Sequence, residues 1–179
     1  FAEDIDVFIA VGRSPKFGLN KTKYDFRTVA EFNATSDRSK FSGGTAADGW
    51  PVIGGKGFNI WNPDTGKVYE LAVPVRVRAE LRKKLQNQIR MKNSEFFDWC
   101  EEGDVAECDL PCDFPRIAFR DLARAKDERT IIACLIPPHV ILTNKAPYLL
   151  RFSGTEKDEA FILGILSSIP LDWYARRYV

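Results

Sequence analysis

Apolar and polar positions alternate in short bursts along most of this chain, and one stretch repeats every four residues instead. The four-residue stretch is 74–93, where Val77, Leu81, Leu85 and Ile89 fall on one side of a predicted helix. The clearest alternation lies in 116–138 (RIAFRDLARAKDERTIIACLIPP). There Ile117 and Phe119 alternate with Arg116, Ala118 and Arg120, and a β-branched run over 130–136 stops at Pro137 and Pro138. That pattern predicts a hairpin with a charged connection over 121–129, and Ile117, Phe119, Ile131 and Ile132 in the core.

Other bursts fill in the remaining elements. Residues 5–11 (IDVFIAV) are apolar and β-rich and predict a strand. Residues 24–32 predict a strand or a short helix. Residues 52–53 and 58–60 predict short strands around Gly54-Gly55-Lys56-Gly57, and a turn at 62–66 leads to a strand at 67–73. Further strands are expected at 139–143 and 148–152. A helix follows over 156–169, with Thr155 or Ser153 as N-cap, and a second helix starts beyond Pro170 with Trp173 and Tyr174 as anchors. Residues 12–23, 34–49 and 144–148 read as loops. The whole is an α+β domain with mixed or antiparallel sheets, a basic amphipathic helix and C-terminal helices.

Charge changes the picture locally rather than globally. The 179 residues carry a net charge of +1, so nucleic-acid binding would depend on clustering and not on the total. Clustering is present. The polar side of the 74–93 helix holds Arg76, Arg78, Arg82, Lys83, Lys84, Arg90 and Lys92 against Glu80 alone. Phosphate contact and a solvated helix face are both open readings of it. Residues 95–113 carry eight acids and no basic residue, and 94–114 read as an acidic linker or loop within one domain spanning 1–179. Their spacing does not follow a calcium loop.

Candidate catalytic chemistry is sparse. Cys100, Cys108 and Cys112 form a C-x7-C-x3-C array, which is not a standard zinc spacing, and reduced thiols are the preferred reading over a zinc site completed by Cys134 or His139. His139 has no indicated base or nucleophile partner and reads as structural. The glycine turn at 41–45 (FSGGT) lacks the preceding strand and following helix that a nucleotide-type turn needs. No apolar run reaches membrane-spanning length. The glycines at 54–57 allow close backbone approach, so that segment either presents Lys56, Asn59 and Trp61 to a ligand or forms a plain meander with Trp61 in the core.

Three blocks, 49–68 (GWPVIGGKGFNIWNPDTGKV), 115–138 (PRIAFRDLARAKDERTIIACLIPP) and 162–178 (ILGILSSIPLDWYARRY), resemble successive blocks of the target recognition region of adenine-specific DNA methyltransferases of the type IIG-like restriction-modification kind. The resemblance covers about 24–179, and is most specific at Phe119-Arg120-Asp121, Glu128-Arg129-Thr130 and 171–177 (LDWYARR). It implies a fragment of a longer, cytoplasmic parent. That parent would transfer methyl groups from S-adenosylmethionine to adenine N6 after base flipping, with or without endonuclease activity. The family's Asn/Asp-Pro-Pro-Tyr/Phe signature is absent; Asn62-Pro63-Asp64 and Asn144-Lys145-Ala146-Pro147-Tyr148 are near misses. Catalysis and the cofactor are therefore expected in a methyltransferase domain elsewhere in the parent, with no cofactor in this fragment.

The implied partners are double-stranded DNA and that methyltransferase domain, not a membrane. The expected base or backbone contacts are Arg116, Arg120, Arg124, Lys126 and Arg129 around the hairpin, and Lys56, Asn59, Asn144 and Lys145 in loops. Arg78, Arg82, Lys83 and Arg90 are the expected phosphate contacts. Arg120 and Arg129 could instead brace the hairpin by pairing with Asp121 or Glu128, which leaves Arg124 and Lys126 as the better contacts. The alternatives are a protein-interaction module docking another subunit through the acid block, and a fragment retaining part of a methyltransferase or nuclease site.

Overall fold

Strands that are buried on both faces dictate the architecture. A computed structural model describes residues 2–13, 25–100, 104–124 and 126–178. The strands are β1 (Phe26–Val29), β2 (Trp50–Ile53), β3 (Glu70–Ala72), β4 (Arg116–Phe119), β5 (Ala133–Ile136), β6 (Ile141–Leu142) and β7 (Tyr148–Arg151). They form an antiparallel four-stranded sheet in the order β1-β7-β4-β5 and a three-stranded sheet in the order β3-β2-β6. The second sheet is mixed, because β2 pairs antiparallel with β3 and parallel with β6. The domain is α+β, as the pattern predicts.

The larger sheet has two apolar faces. Ala118, Cys134, Ile136, Tyr148 and Leu150 join the main core with the second sheet and helix α2 (Pro74–Gln88). The alternate positions Phe26, Ile117, Ala133 and Leu149 form a second cluster with Leu163 of helix α3 (Glu156–Leu166). The period-two rule sends successive side chains to opposite faces. A sheet covered on both faces therefore buries Arg116 along with Ile117.

The predicted hairpin is present, with Arg116 opposite Ile136 and Phe119 opposite Ala133. Ile117 and Ile132 are buried, whereas Phe119 and Ile131 are half-buried. α2 buries Val77, Leu81 and Leu85, with Ile89 just beyond its end. It ends at Gln88, short of the predicted 93. Pro74 in its first turn supplies a helical φ without costing a hydrogen bond. α3 is opened by a capping box between Thr155 and Asp158. Pro170 lies in the first turn of α4 (Ile169–Ala175), so it opens the last helix as well as following α3.

Two strand expectations are corrected. Residues 5–11 are helical, within α1 (Ala2–Arg13). Phe8 packs on Tyr174 and Tyr178, with ring centroids 4.9 and 5.7 Å apart, and Gly12 faces the Tyr174 hydroxyl one turn on. Ile5, Val7, Ile9 and Val11, which suggested a strand, are exposed. β-branching lowers helix propensity by roughly 0.5 kcal/mol per residue, which the aromatic contacts outweigh. Residues 58–60 are not a strand either. Asn59 pairs with Asn62 across a tight loop. The loop expected at 12–23 falls almost wholly outside the described residues.

The acidic segment is anchored to the core. Phe96, Val105, Leu110 and Cys112 are buried, Asp113 pairs with Arg78, and Arg82 donates to the carbonyls of Val105 (2.8 Å) and Cys108 (3.0 Å).

Candidate nucleic-acid interface

Loops from both sheets meet where β2, β4 and β6 end. The backbone carbonyl of Lys145 lies so close to Gly55 that a Cβ there would sit 2.7 Å from it and 3.2 Å from Cγ of Arg120. The Arg120 guanidinium donates to the Phe58 carbonyl at 3.0 Å. Lys145 reaches Asp121 at 3.6 Å, and the Asp121 N–H points back to the Lys145 carbonyl. The loops 54–62 and 144–145 and the start of the β4–β5 connection at Arg120 and Asp121 are thus one cluster. α2 starts at the other end of its sheet, since Ala72 pairs with Trp50 at the start of β2.

The end of the β4–β5 connection, from Asp127 to Ile131, is held by α4 and the residues that flank it. The Asp172 carboxylate accepts the backbone N–H groups of Thr130 and Ile131, both at 2.7 Å. It also pairs with Arg129 at 3.3 Å. Arg129 donates to the carbonyls of Ser167 and Ser168. Arg176 donates to the carbonyls of Asp127 (2.7 Å) and Glu128 (2.8 Å) and to the Thr130 hydroxyl. Burial alone would raise the pKa of Asp172, but the two N–H donors and Arg129 hold it below the usual carboxylate value. Two of the sequence blocks, 115–138 and 162–178, therefore meet at this junction.

The expected contact residues divide by position. Lys56, Asn59 and Lys145 are exposed on the loop cluster, and Arg124 and Lys126 are exposed further along the β4–β5 connection. Arg124 and Lys126 sit on a connection turned by the Asp127 carboxylate, which accepts the Arg124 N–H at 3.0 Å. Asn144 is half-buried, its side-chain oxygen accepting the Ala34 N–H at 3.0 Å. Arg120 and Arg129 do brace the fold, but through Phe58, Ser167, Ser168 and Asp172 rather than through Asp121 or Glu128.

Arg116 is withdrawn from any surface. It is 2% exposed, paired with Glu31 at 3.0 Å, and donates to the carbonyls of Pro111 and Val140. Its guanidinium also lies over the Tyr148 ring at 5.0 Å. A buried arginine so engaged cannot reach a groove.

On α2, Arg78 and Arg82 are engaged with the acidic segment. Arg76 donates to Ser39 and Lys84 to Glu31, each to a backbone carbonyl. Lys83 and Arg90 are exposed. Four of the seven cations on this side are thus engaged within the fold, Arg78 by Asp113 and Arg76, Arg82 and Lys84 by backbone carbonyls.

Reading the sequence alone misses Glu31, Asp172 and Arg176, the partners that immobilise the hairpin. Asp172 and Arg176 do lie inside the block 171–177, whereas Glu31 gives no sequence signal beyond one acid among apolar neighbours. Trp61, left open between core and surface, is 67% exposed.

Among the described residues no three His, Cys, Asp or Glu side chains converge as a metal would require, and the four cysteines are free thiols. Burial, with the Cys100 thiol as neighbour, pushes Cys108 up to about 12, which leaves it a poor nucleophile. His139 stacks on Trp50 with centroids 4.4 Å apart. A cavity of about 20 Å³ beside Glu31, Lys84 and Tyr148 is about the size of one water molecule. Among the described residues no helix is long and apolar enough to cross a membrane. Comparisons with protein families, curated proteins and solved structures returned no match.

Proposed function

We propose that this chain is a sequence-specific DNA-recognition module that positions an adenine-N6 methyltransferase of the restriction-modification kind on its target. The resemblance of the three sequence blocks supplies the class of parent. One structural observation supports the DNA reading: loops from two sheets converge with Lys56, Asn59 and Lys145 exposed, and the β4–β5 connection that joins them at Arg120 and Asp121 carries the exposed Arg124 and Lys126, on a framework fixed by Arg120, Arg129, Asp172 and Arg176. Cations on such loops attract phosphate, and an amide or guanidinium within reach can pair with base edges. The parent's S-adenosylmethionine and its catalytic groups belong to the methyltransferase domain in this reading, and this module acts by binding.

The test is titration of labelled mixed-sequence duplexes with the 179-residue chain, followed by fluorescence anisotropy across a range of salt. Binding that weakens steeply with salt is expected. No binding even at low salt would overturn the proposal.

A second reading, docking of a protein partner, draws on a different observation. Ile5, Val7, Ile9 and Val11 of α1 and Phe161 and Ile165 of α3 are exposed, and such side chains are available to a protein partner. The acid block is a second candidate contact for such a partner, since Asp113 is paired internally but Glu95, Asp98, Asp104, Glu107 and Asp109 are exposed. Sedimentation of the chain with and without a candidate methyltransferase domain separates this reading from DNA binding.

A further inference from the structure

Trp61 occupies a backbone position that disfavours it. Its φ is +60°, a left-handed value that any Cβ opposes and a bulky side chain opposes most. It is the second residue of a two-residue loop whose flanks, Asn59 and Asn62, exchange both backbone hydrogen bonds at 2.8 and 3.0 Å. Turn chemistry ordinarily places glycine or asparagine there.

The side chain is left largely in solvent. The indole is 67% exposed, and among the described residues no aromatic ring or cation stacks on it. His139 makes the contrast plain. It too has a positive φ, +65°, but its ring stacks on Trp50.

The loop beneath Trp61 is firmly built. The Thr65 N–H donates to the Gly57 carbonyl at 3.0 Å and the Thr65 hydroxyl to the Lys56 carbonyl at 2.6 Å. Asn62 and Asp64 side chains accept the N–H groups of Asp64 and Gly66 at 3.2 and 2.7 Å. A large rigid aromatic is thus held out in water on a strained turn, next to Lys56 and Asn59. Strain maintained by its surroundings points from the outlier to a function.

We infer that the Trp61 indole is a stacking wedge that enters a base-pair step of duplex DNA. The inference rests on the DNA-recognition reading and adds to it a contact that hydrogen bonding to base edges does not include. Every base presents a π-face, so the wedge is tolerant of sequence and favours steps that open easily. Lys56, whose carbonyl is tied to Thr65, precedes Trp61 on the same loop, where its ammonium can meet the phosphate beside the opened step.

The test compares wild type with Trp61→Gly, Trp61→Ala and Trp61→Phe, using short mixed-sequence duplexes with and without a single central mismatch, read by anisotropy. Wild type should prefer the mismatched duplex, since its step is cheaper to open. Trp61→Gly and Trp61→Ala should drop roughly tenfold in affinity and lose that preference, and Trp61→Phe should keep most of both. Trp61→Gly should also melt at a higher temperature than wild type, which shows that its weaker binding does not come from unfolding. If Trp61→Gly and Trp61→Ala bind both duplexes as wild type does, the wedge is overturned and DNA recognition stands. If wild type binds neither duplex at low salt, the recognition reading itself falls, and the wedge with it.

Discussion

The Arg116 guanidinium meets the Glu31 carboxylate at 3.0 Å, with 3% of each side chain exposed. The second Glu31 oxygen accepts the Leu142 N–H at 2.7 Å, so this one carboxylate joins β4 to β6 across the two sheets. Removing one partner leaves a buried, uncompensated charge. Glu31→Ala or Arg116→Ala should lower stability by about 3–5 kcal/mol, and replacing both with apolar residues should cost less than either alone. Urea unfolding of the two single variants and the double variant measures this.

Asp172 makes a pH-dependent contribution. Its folded pKa lies below the ordinary value of 3.8, held there by Ile131, Thr130 and Arg129 against the effect of burial. A depressed carboxylate stabilises the fold above the unfolded pKa, and that contribution is lost as pH falls through the folded value. Stability should therefore drop below about pH 4 in wild type, and Asp172→Asn should lose less over the same interval, starting from a lower plateau. Urea midpoints between neutral and acid pH report the difference.

Gly55 sets the spacing of the loop cluster. In Gly55→Ala the new methyl would sit 2.7 Å from the Lys145 carbonyl, a backbone atom that cannot move without its loop. The variant should be destabilised by about 1–3 kcal/mol in thermal unfolding, as overpacked sites are. A fall in DNA affinity larger than the fraction unfolded would report on the displaced Lys145.

The exposed and engaged cations should behave oppositely. Lys56→Gln, Arg124→Gln and Lys126→Gln should each leave stability within about 0.5 kcal/mol. Each that removes a neutralised phosphate should flatten the salt dependence of DNA binding by roughly 0.9 in slope. Arg82→Ala, which orphans the Val105 and Cys108 carbonyls, should cost about 1–3 kcal/mol of stability instead. Thermal melts and salt titrations of these variants separate the two groups.

Elements fixed by local rules were legible in the sequence. The α2 stripe, the β4–β5 pairing and the Thr155 cap each follow from spacing and capping chemistry that neighbours in sequence decide. What was not legible depends on distant partners. Residues 5–11 are helical because Phe8 finds Tyr174. Arg116 is buried because its sheet is covered on both faces, and part of the positive side of α2 is answered by carbonyls and by Asp113 from other segments. Of the candidate contacts, Lys56, Arg124, Lys126 and Lys145 are where a surface reading puts them. The residues that hold Arg129 in place could not be found by local pattern, because hydrogen bonds to backbone leave no trace in composition.

The parallel pairing of β2 with β6 has a consequence for how the loop cluster comes to exist. The Thr143 hydroxyl and the Ile53 carbonyl that close it are ninety residues apart in sequence. The cluster as a whole cannot assemble from a single stretch of chain. During synthesis, residues 54–62 emerge long before the strand that places them beside 144–145, so the Trp61 turn waits without its neighbours. High contact order of this kind slows folding, and a nascent chain with such a gap exposes β2 to wrong pairings until β6 arrives.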